Sequence, residues 1–360
     1  MHSKKRILIA PLNWGLGHAT RCIPIINELI AHKFEPIIAS DGVALQLLKK
    51  EFPKLLTYEL PSYNITYSKK ASQFKLKILR ETPHILKTIK AEKKLTKKLV
   101  KDLNIKGIIS DNRFGVRYKK IPSVFISHQL QVLSGNTTWF TTKMHQKIIQ
   151  KYNVCWVPDV PSEPNLSGQL GHIVNANFPI KYLGALSRFN KNSEDLTYDY
   201  MVLISGPEPQ RSILVKKLSS ELIGIDKRVL FVKGKMEECK KVEQKENITF
   251  INFLTTNDLE KAINSSNVII SRSGYTTILD LAKLEKKAFF IPTPGQFEQE
   301  YLAKELDSKG LVPFCNQDEF ELEQLNRVNK YEGLTTLNYE PNFEDLFRLF
   351  QCKREFTTNS

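Results

Sequence analysis

No run of 18 apolar residues occurs in the sequence, so no segment reads as a membrane-spanning helix. The five cysteines (Cys22, Cys155, Cys239, Cys315 and Cys352) are odd in number and include no C-x-x-C pair. A disulfide framework and the common zinc and redox signatures are therefore excluded, and the thiols read as reduced and structural. Lys4, Lys5 and Arg6 run directly into an apolar strand, with no leader-like core or cleavage site between, so the expected location is cytoplasmic. No Asp-x-Asp occurs anywhere in the chain. The carboxylate pair that often clamps a metal onto a diphosphate is missing, and neither a metal nor a cofactor is expected. Internal repeats and low-complexity tracts are also absent.

Negative charge is scarce, with 38 Asp and Glu against 53 Lys and Arg and a net charge of +15. Such an excess suits nucleic acid, an anionic membrane surface or anionic substrates. Much of it falls between Lys69 and Lys106, where thirteen basic residues face only Glu81, Glu92 and Asp102. The pattern predicts helices over 72–81 and 83–103, with Thr82 as N-cap and Pro83 at the first helical position. Ile85, Leu86, Ile89, Leu95, Leu99 and Leu103 form the expected apolar stripe. Two readings stay open for the lysine face: a solvated surface, or attraction to an anionic membrane. Nucleic acid is not expected, because Phe74 is the segment's one aromatic side chain for stacking.

At 360 residues the chain can build two ordinary domains. Strand, polar turn and helix alternate along it, which predicts an α/β fold with parallel sheets. Ligands in such sheets lie beyond the carboxyl ends of the strands. After the first strand, residues 6–10, comes Gly15-Leu16-Gly17-His18-Ala19-Thr20-Arg21. Gly15 and Gly17 let backbone turn tightly and approach a ligand, and His18 can take a proton near neutral pH. The nicotinamide reading of this turn is weak, because Thr20 stands where a third glycine is usual. Asp111 and His128 follow two further strands and are competing bases; each could equally be a turn-stabilising side chain.

Residues 187–199 are polar and read as the interdomain linker. Beyond them, a strand over 200–204 leads to Ser205-Gly206-Pro207-Glu208-Pro209-Gln210-Arg211. A strand over 268–270 leads to Arg272-Ser273-Gly274-Tyr275-Thr276-Thr277, then Asp280, with Pro292, Gln299 and Glu300 downstream. The free N–H groups and dipole of a helix starting near Thr276 suit a phosphate. Expected domains are 1–186 and 200–340, with 341–360 a closing helix and tail that crosses back to the first.

These motifs resemble the MurG-like glycosyltransferases (family 28), whose pattern R-S-G-x-x-T-x-x-E falls on Arg272 to Asp280. The resemblance implies the GT-B architecture: two Rossmann-like αβα domains facing across a cleft, acceptor in the first, donor in the second. It implies transfer of a hexose or N-acetylhexosamine from a UDP-sugar such as UDP-N-acetylglucosamine, inverting and metal-independent. Asp280 takes the ribose-binding position, with a shorter carboxylate than the family's glutamate. Gln299 and Glu300 take the paired glutamine positions near the donor sugar. Gly206, Gln210 and Arg211 fall on the second phosphate loop, and Leu254 on the place where backbone reads the base. His18 is the first choice for the proton acceptor, near a lipid-linked acceptor. The alternatives are a non-hydrolysing sugar-nucleotide 2-epimerase and a non-catalytic sugar-nucleotide or lipid binder.

Overall fold

A computed structural model describes residues 4–64, 74–133, 135–235, 237, 239–334 and 339–351, with backbone alone for 74–81 and 136. The start of the basic segment, residues 69–73, and Cys352 lie outside the described residues.

Among the described residues the first sheet has seven strands: β1 (Arg6–Pro11), β2 (Glu35–Ser40), β3 (Thr57–Glu59), β4 (Ile105–Asp111), β5 (Ser123–Ile126), β6 (Val154–Val157) and β7 (Ile180–Tyr182). They run parallel in the order β3-β2-β1-β4-β5-β6-β7. The strand order reverses between β1 and β4, which opens a crevice at their carboxyl ends. The helices of this half are α1 (Gly17–Ala31), α2 (Gly42–Glu51), α3 (Phe74–Asp102) and α4 (Thr138–Ile149). Apolar runs such as Ile7, Leu8 and Ile9 are buried on both faces, as a sheet covered by helices requires.

The second sheet contains β8 (Tyr198–Leu203), β9 (Val229–Val232), β10 (Val242–Lys245), β11 (Ile248–Ile251), β12 (Ser266–Ser271) and β13 (Lys287–Phe290). Its order is β10-β11-β9-β8-β12-β13, parallel except for the exposed, polar edge strand β10. Here the order reverses between β8 and β12. Helices α5 (Gln210–Leu222), α6 (Thr256–Asn264), α7 (Tyr275–Lys283) and α8 (Phe297–Ser308) cover it. The last helix, α9 (Phe343–Gln351), packs on the first sheet, where Phe347 and Phe350 join the core of Ile7, Phe34 and Trp156. The two-domain αβα architecture expected from the resemblance is the one observed.

The basic segment differs from its expected form. One helix, α3, runs through Pro83 instead of two meeting there. Its inward face is Thr88, Glu92, Thr96, Leu99 and Val100, and Leu86 is exposed. Glu92 explains the shift: its carboxylate accepts from Arg113 Nε (2.7 Å), from Tyr63 Oη (2.6 Å) and from the Gly115 amide (2.8 Å). The buried ion pair adds a polar strip beside Leu95, Leu99 and Leu103, which apolar periodicity does not show.

Candidate active site

The turn after β1 positions the first group of side chains. Gly15 sits at φ +74°, a left-handed conformation that costs other residues strain. The turn delivers His18 to the first turn of α1 and Arg21 one turn later. Asp111 closes β4, the neighbour of β1, so its carboxylate meets both. Arg21 Nε donates to Asp111 Oδ2 at 2.7 Å, and Arg21 NH2 also donates to Oδ1. His18 Nδ1 lies 2.9 Å from Asp111 Oδ1. Arg21 NH2 lies 2.8 Å from the same nitrogen, but a bare nitrogen lone pair facing the carboxylate would be repulsive. His18 Nδ1 is therefore the protonated nitrogen, donating to Asp111, and Nε2 carries the lone pair. Nε2 makes no hydrogen bond among the described residues.

Burial raises the Asp111 carboxyl, but Arg21 and His18 outweigh it and hold it well below the usual carboxylate range. Burial lowers the His18 imidazole, and Asp111 only partly restores it, so its value is below the ordinary one. A neutral imidazole oriented by a fixed carboxylate is equipped to take a proton.

His128, just beyond β5, is held on every side. Its Nε2 donates to Glu298 Oε1 at 2.8 Å, Arg21 NH1 lies 3.3 Å from Nδ1, and the ring stacks on Tyr275 at 4.0 Å and 8°. Neither nitrogen is free, and the residue joins the domains. Gln129 donates to the other oxygen of Glu298. Burial pushes the Glu298 carboxyl up, but His128, His18 and Arg21 hold it below its usual value. Glu298 was missed from the sequence; its signal was a carboxylate in the first turn of α8, one place before Gln299.

In the second domain, α7 starts at Tyr275 with Gly274 as N-cap and no side-chain cap, so its first N–H groups point outward. A Cβ on Gly274 would meet only Thr277 Oγ1 at 3.9 Å, which leaves room for a ligand. A Cβ on Gly17 would lie 2.4 Å from Thr276 Oγ1. The starts of α1 and α7 thus face each other at contact distance, and Gly17 permits that approach. Tyr275 Oη donates to Pro158 O at 2.6 Å across the same seam.

The remaining expected residues take other places. Ser273 donates its hydroxyl to Gln299 O at 2.7 Å. Arg272 is enclosed, with NH1 on Ile291 O and Pro292 O, and NH2 on Gln210 O and Gln317 Oε1. It ties these segments together through NH1 and NH2, while its buried Nε has no partner among the described residues. Gly206 is at φ +104° with open space beside it. Arg211 reaches Gly234 O and Glu208, and the Gln210 side chain accepts from Gln317. Leu254 packs on the second core. Gln299 accepts from the Thr293 amide and Glu300 from the Gly295 amide, both at 2.8 Å, so this pair braces the loop before α8. Asp280 accepts from Ser187 Oγ of the linker at 2.6 Å, and burial pushes its carboxyl up to about 7 despite that bond and Arg188.

Two Rossmann-like domains with opposed helix starts are the GT-B architecture. Residues 214–340 match the glycosyltransferase family 28 C-terminal domain. An uncharacterized glycosyltransferase of Methanosarcina acetivorans is 24% identical, with 93% of this chain and 94% of the relative covered. The UDP-N-acetylglucosamine–N-acetylmuramyl-(pentapeptide) pyrophosphoryl-undecaprenol N-acetylglucosamine transferase of Haemophilus ducreyi is 22% identical over 90% of this chain and 88% of its own. In fold the chain is similar to MurG of Acinetobacter baumannii (TM-score 0.59, 15% identity, 97% and 99% covered). It is also similar to SnogD from Streptomyces nogalater (TM-score 0.62, 13% identity, 97% and 94% covered). The family model and the MurG relatives together support a MurG-like, family 28 glycosyltransferase.

Proposed function

We propose that the protein moves a hexose or N-acetylhexosamine from a UDP-sugar to an acceptor hydroxyl, with inversion and without a metal. The observation that carries this reading is the His18–Asp111 pair, its Nε2 unengaged, beside the seam where Gly17 meets Thr276. In the reaction His18 Nε2 takes the acceptor proton as the acceptor oxygen bonds to the anomeric carbon. The bond from that carbon to the diphosphate breaks, and its electron pair leaves on UDP. The uncapped N–H groups of α7 stabilise the departing charge, with the loop at Gly206 on its other side. Asp280 holds the ribose diol, exchanging its Ser187 contact for it. Leu254 lies at the base, and Gln299 and Glu300 at the sugar. Asp111 keeps His18 in the useful tautomer. The metal-free reading rests on the missing Asp-x-Asp and on the donors of α7.

The acceptor is read as lipid-linked and the protein as peripheral at the cytoplasmic membrane face. Three things support that: the undecaprenol in the name of the Haemophilus ducreyi relative, the exposed lysines of α3, and exposed Trp139, Phe140 and Met144 on α4. No helix of the described residues is long and apolar enough to cross a membrane. The test is incubation with a panel of UDP-sugars, with and without acceptor lipid and EDTA. The expected result is acceptor-dependent UDP release that survives chelation. Interconversion of the sugar without UDP release would show an epimerase, binding without turnover would show a carrier, and loss restored by Mg²⁺ would show a metal enzyme.

A further inference from the structure

The first sheet is parallel, so its two ends are chemically distinct. The cleft lies at the carboxyl end. At the amino end, where Ser123 opens β5 and Asn153 precedes β6, there is a cavity of about 360 Å³. Arg117, Lys119 and Lys151 line it together with Tyr118, Gln150 and Asn153, and none of its lining residues is acidic. The Arg117 Nε is buried and has no hydrogen-bond partner. Lys93 of α3 stands close enough to be affected. Burial lowers its ammonium below the ordinary value, and Arg117, Lys151 and Lys90 lower it further.

The two fully buried arginines of this domain are paired with carboxylates. Arg113 is neutralised by Asp41 and Glu92, and Arg21 by Asp111. Burying charge without a partner is costly, and these two follow the rule. Among the described residues the cations around the Arg117 cavity have no such partner. Their mutual repulsion would be relieved by an anion of matching size, and an arginine fork with lysines and amides is a donor set suited to phosphate oxygens.

We propose that this cavity is a second anion site, separate from the cleft, that binds a phosphate monoester or pyrophosphate group. The group can be soluble or carried by an anionic phospholipid, and the site is independent of the transferase reading. The test uses the full chain saturated with UDP, so that the cleft is occupied. Inorganic pyrophosphate is titrated by calorimetry, and co-sedimentation is measured with phosphatidic acid–phosphatidylcholine vesicles, whose anionic lipid carries a phosphate monoester. Lys151→Gln, at an exposed position, and Arg117→Gln are compared with the unaltered protein. Each should weaken the bound species about tenfold or more, with a lower salt dependence and unchanged sugar transfer. An effect on pyrophosphate assigns a soluble ligand, and an effect confined to vesicles assigns the lipid. Binding that is equal in all three proteins, or no binding of either probe to the unaltered one, overturns the proposal. Because Arg117 is partly buried, Lys151→Gln remains decisive if Arg117→Gln fails to fold.

Discussion

The starts of α1 and α7 are the same device used in two ways. Each follows a strand next to its sheet's reversal point, each passes through glycine, and neither has a side-chain cap. Around α1 lie His18, Arg21, Asp111 and His128, all of them ionisable. Around α7 lie Ser273, Gly274 and Thr276, hydroxyls and bare backbone with no acid or base among them. A helix start attracts an anion in either setting. What differs is the cargo of ionisable side chains, and on the proposed reading it gives proton chemistry to one domain and anion binding to the other.

The comparison breaks most sharply at His18. His18→Ala should lower turnover by about 10²–10⁴ while leaving UDP affinity nearly unchanged, measured by steady-state kinetics and calorimetry. Equal damage to UDP binding would move His18 to the donor side. Next in size is the seam itself. Gly17→Ala drives a methyl into Thr276 and should reduce kcat/KM by about 10²-fold, since small misplacements are costly in transfer chemistry. Thr276→Gly in the same chain should recover part of that loss; no recovery would mean the glycine matters for something else.

On the α7 side, Asp280→Ala should weaken UDP binding by about 1.5–3 kcal/mol, the worth of hydrogen bonds to a charged group. The raised carboxyl adds a pH signature. Below about 7 Asp280 is largely protonated and above it a carboxylate, so UDP affinity should rise between pH 6 and 8 and be flat in Asp280→Asn. Stability runs the other way. A carboxyl raised on folding contributes fully below its unfolded value of about 4, and that contribution is lost as pH rises to about 7. Asp280→Asn should remove this slope from the melting temperature. The smallest effect belongs to the bridge between the halves. Glu298→Ala leaves His128 Nε2 without a partner and should cost about 1 kcal/mol in thermal unfolding, with KM changing more than kcat.

Much of the site was legible because it follows from strand–turn–helix spacing. Gly15 to Arg21, Asp111, His128 and the Arg272–Asp280 stretch could each be assigned to a carboxyl strand end from local pattern. What each side chain does there was not legible. Arg272 opens the family motif in sequence, yet four acceptors on segments distant along the chain claim it. Gln299 and Glu300 brace a backbone loop, while Glu298, which matches no motif, makes the contact across the cleft. Hydrogen-bond partners so far apart in sequence leave no local trace. The same holds for α3, where a buried ion pair between Glu92 and Arg113 shares the inward face with the apolar stripe.

By itself the sequence determined the two parallel sheets, the turns that end their strands and the family, because periodicity and turn chemistry are local properties of the chain. Only the tertiary structure decided which His18 nitrogen is free, that His128 is a clasp and that Gly17 abuts Thr276. Those depend on where two independently patterned domains meet. Charges and lone pairs are apportioned by neighbours in space.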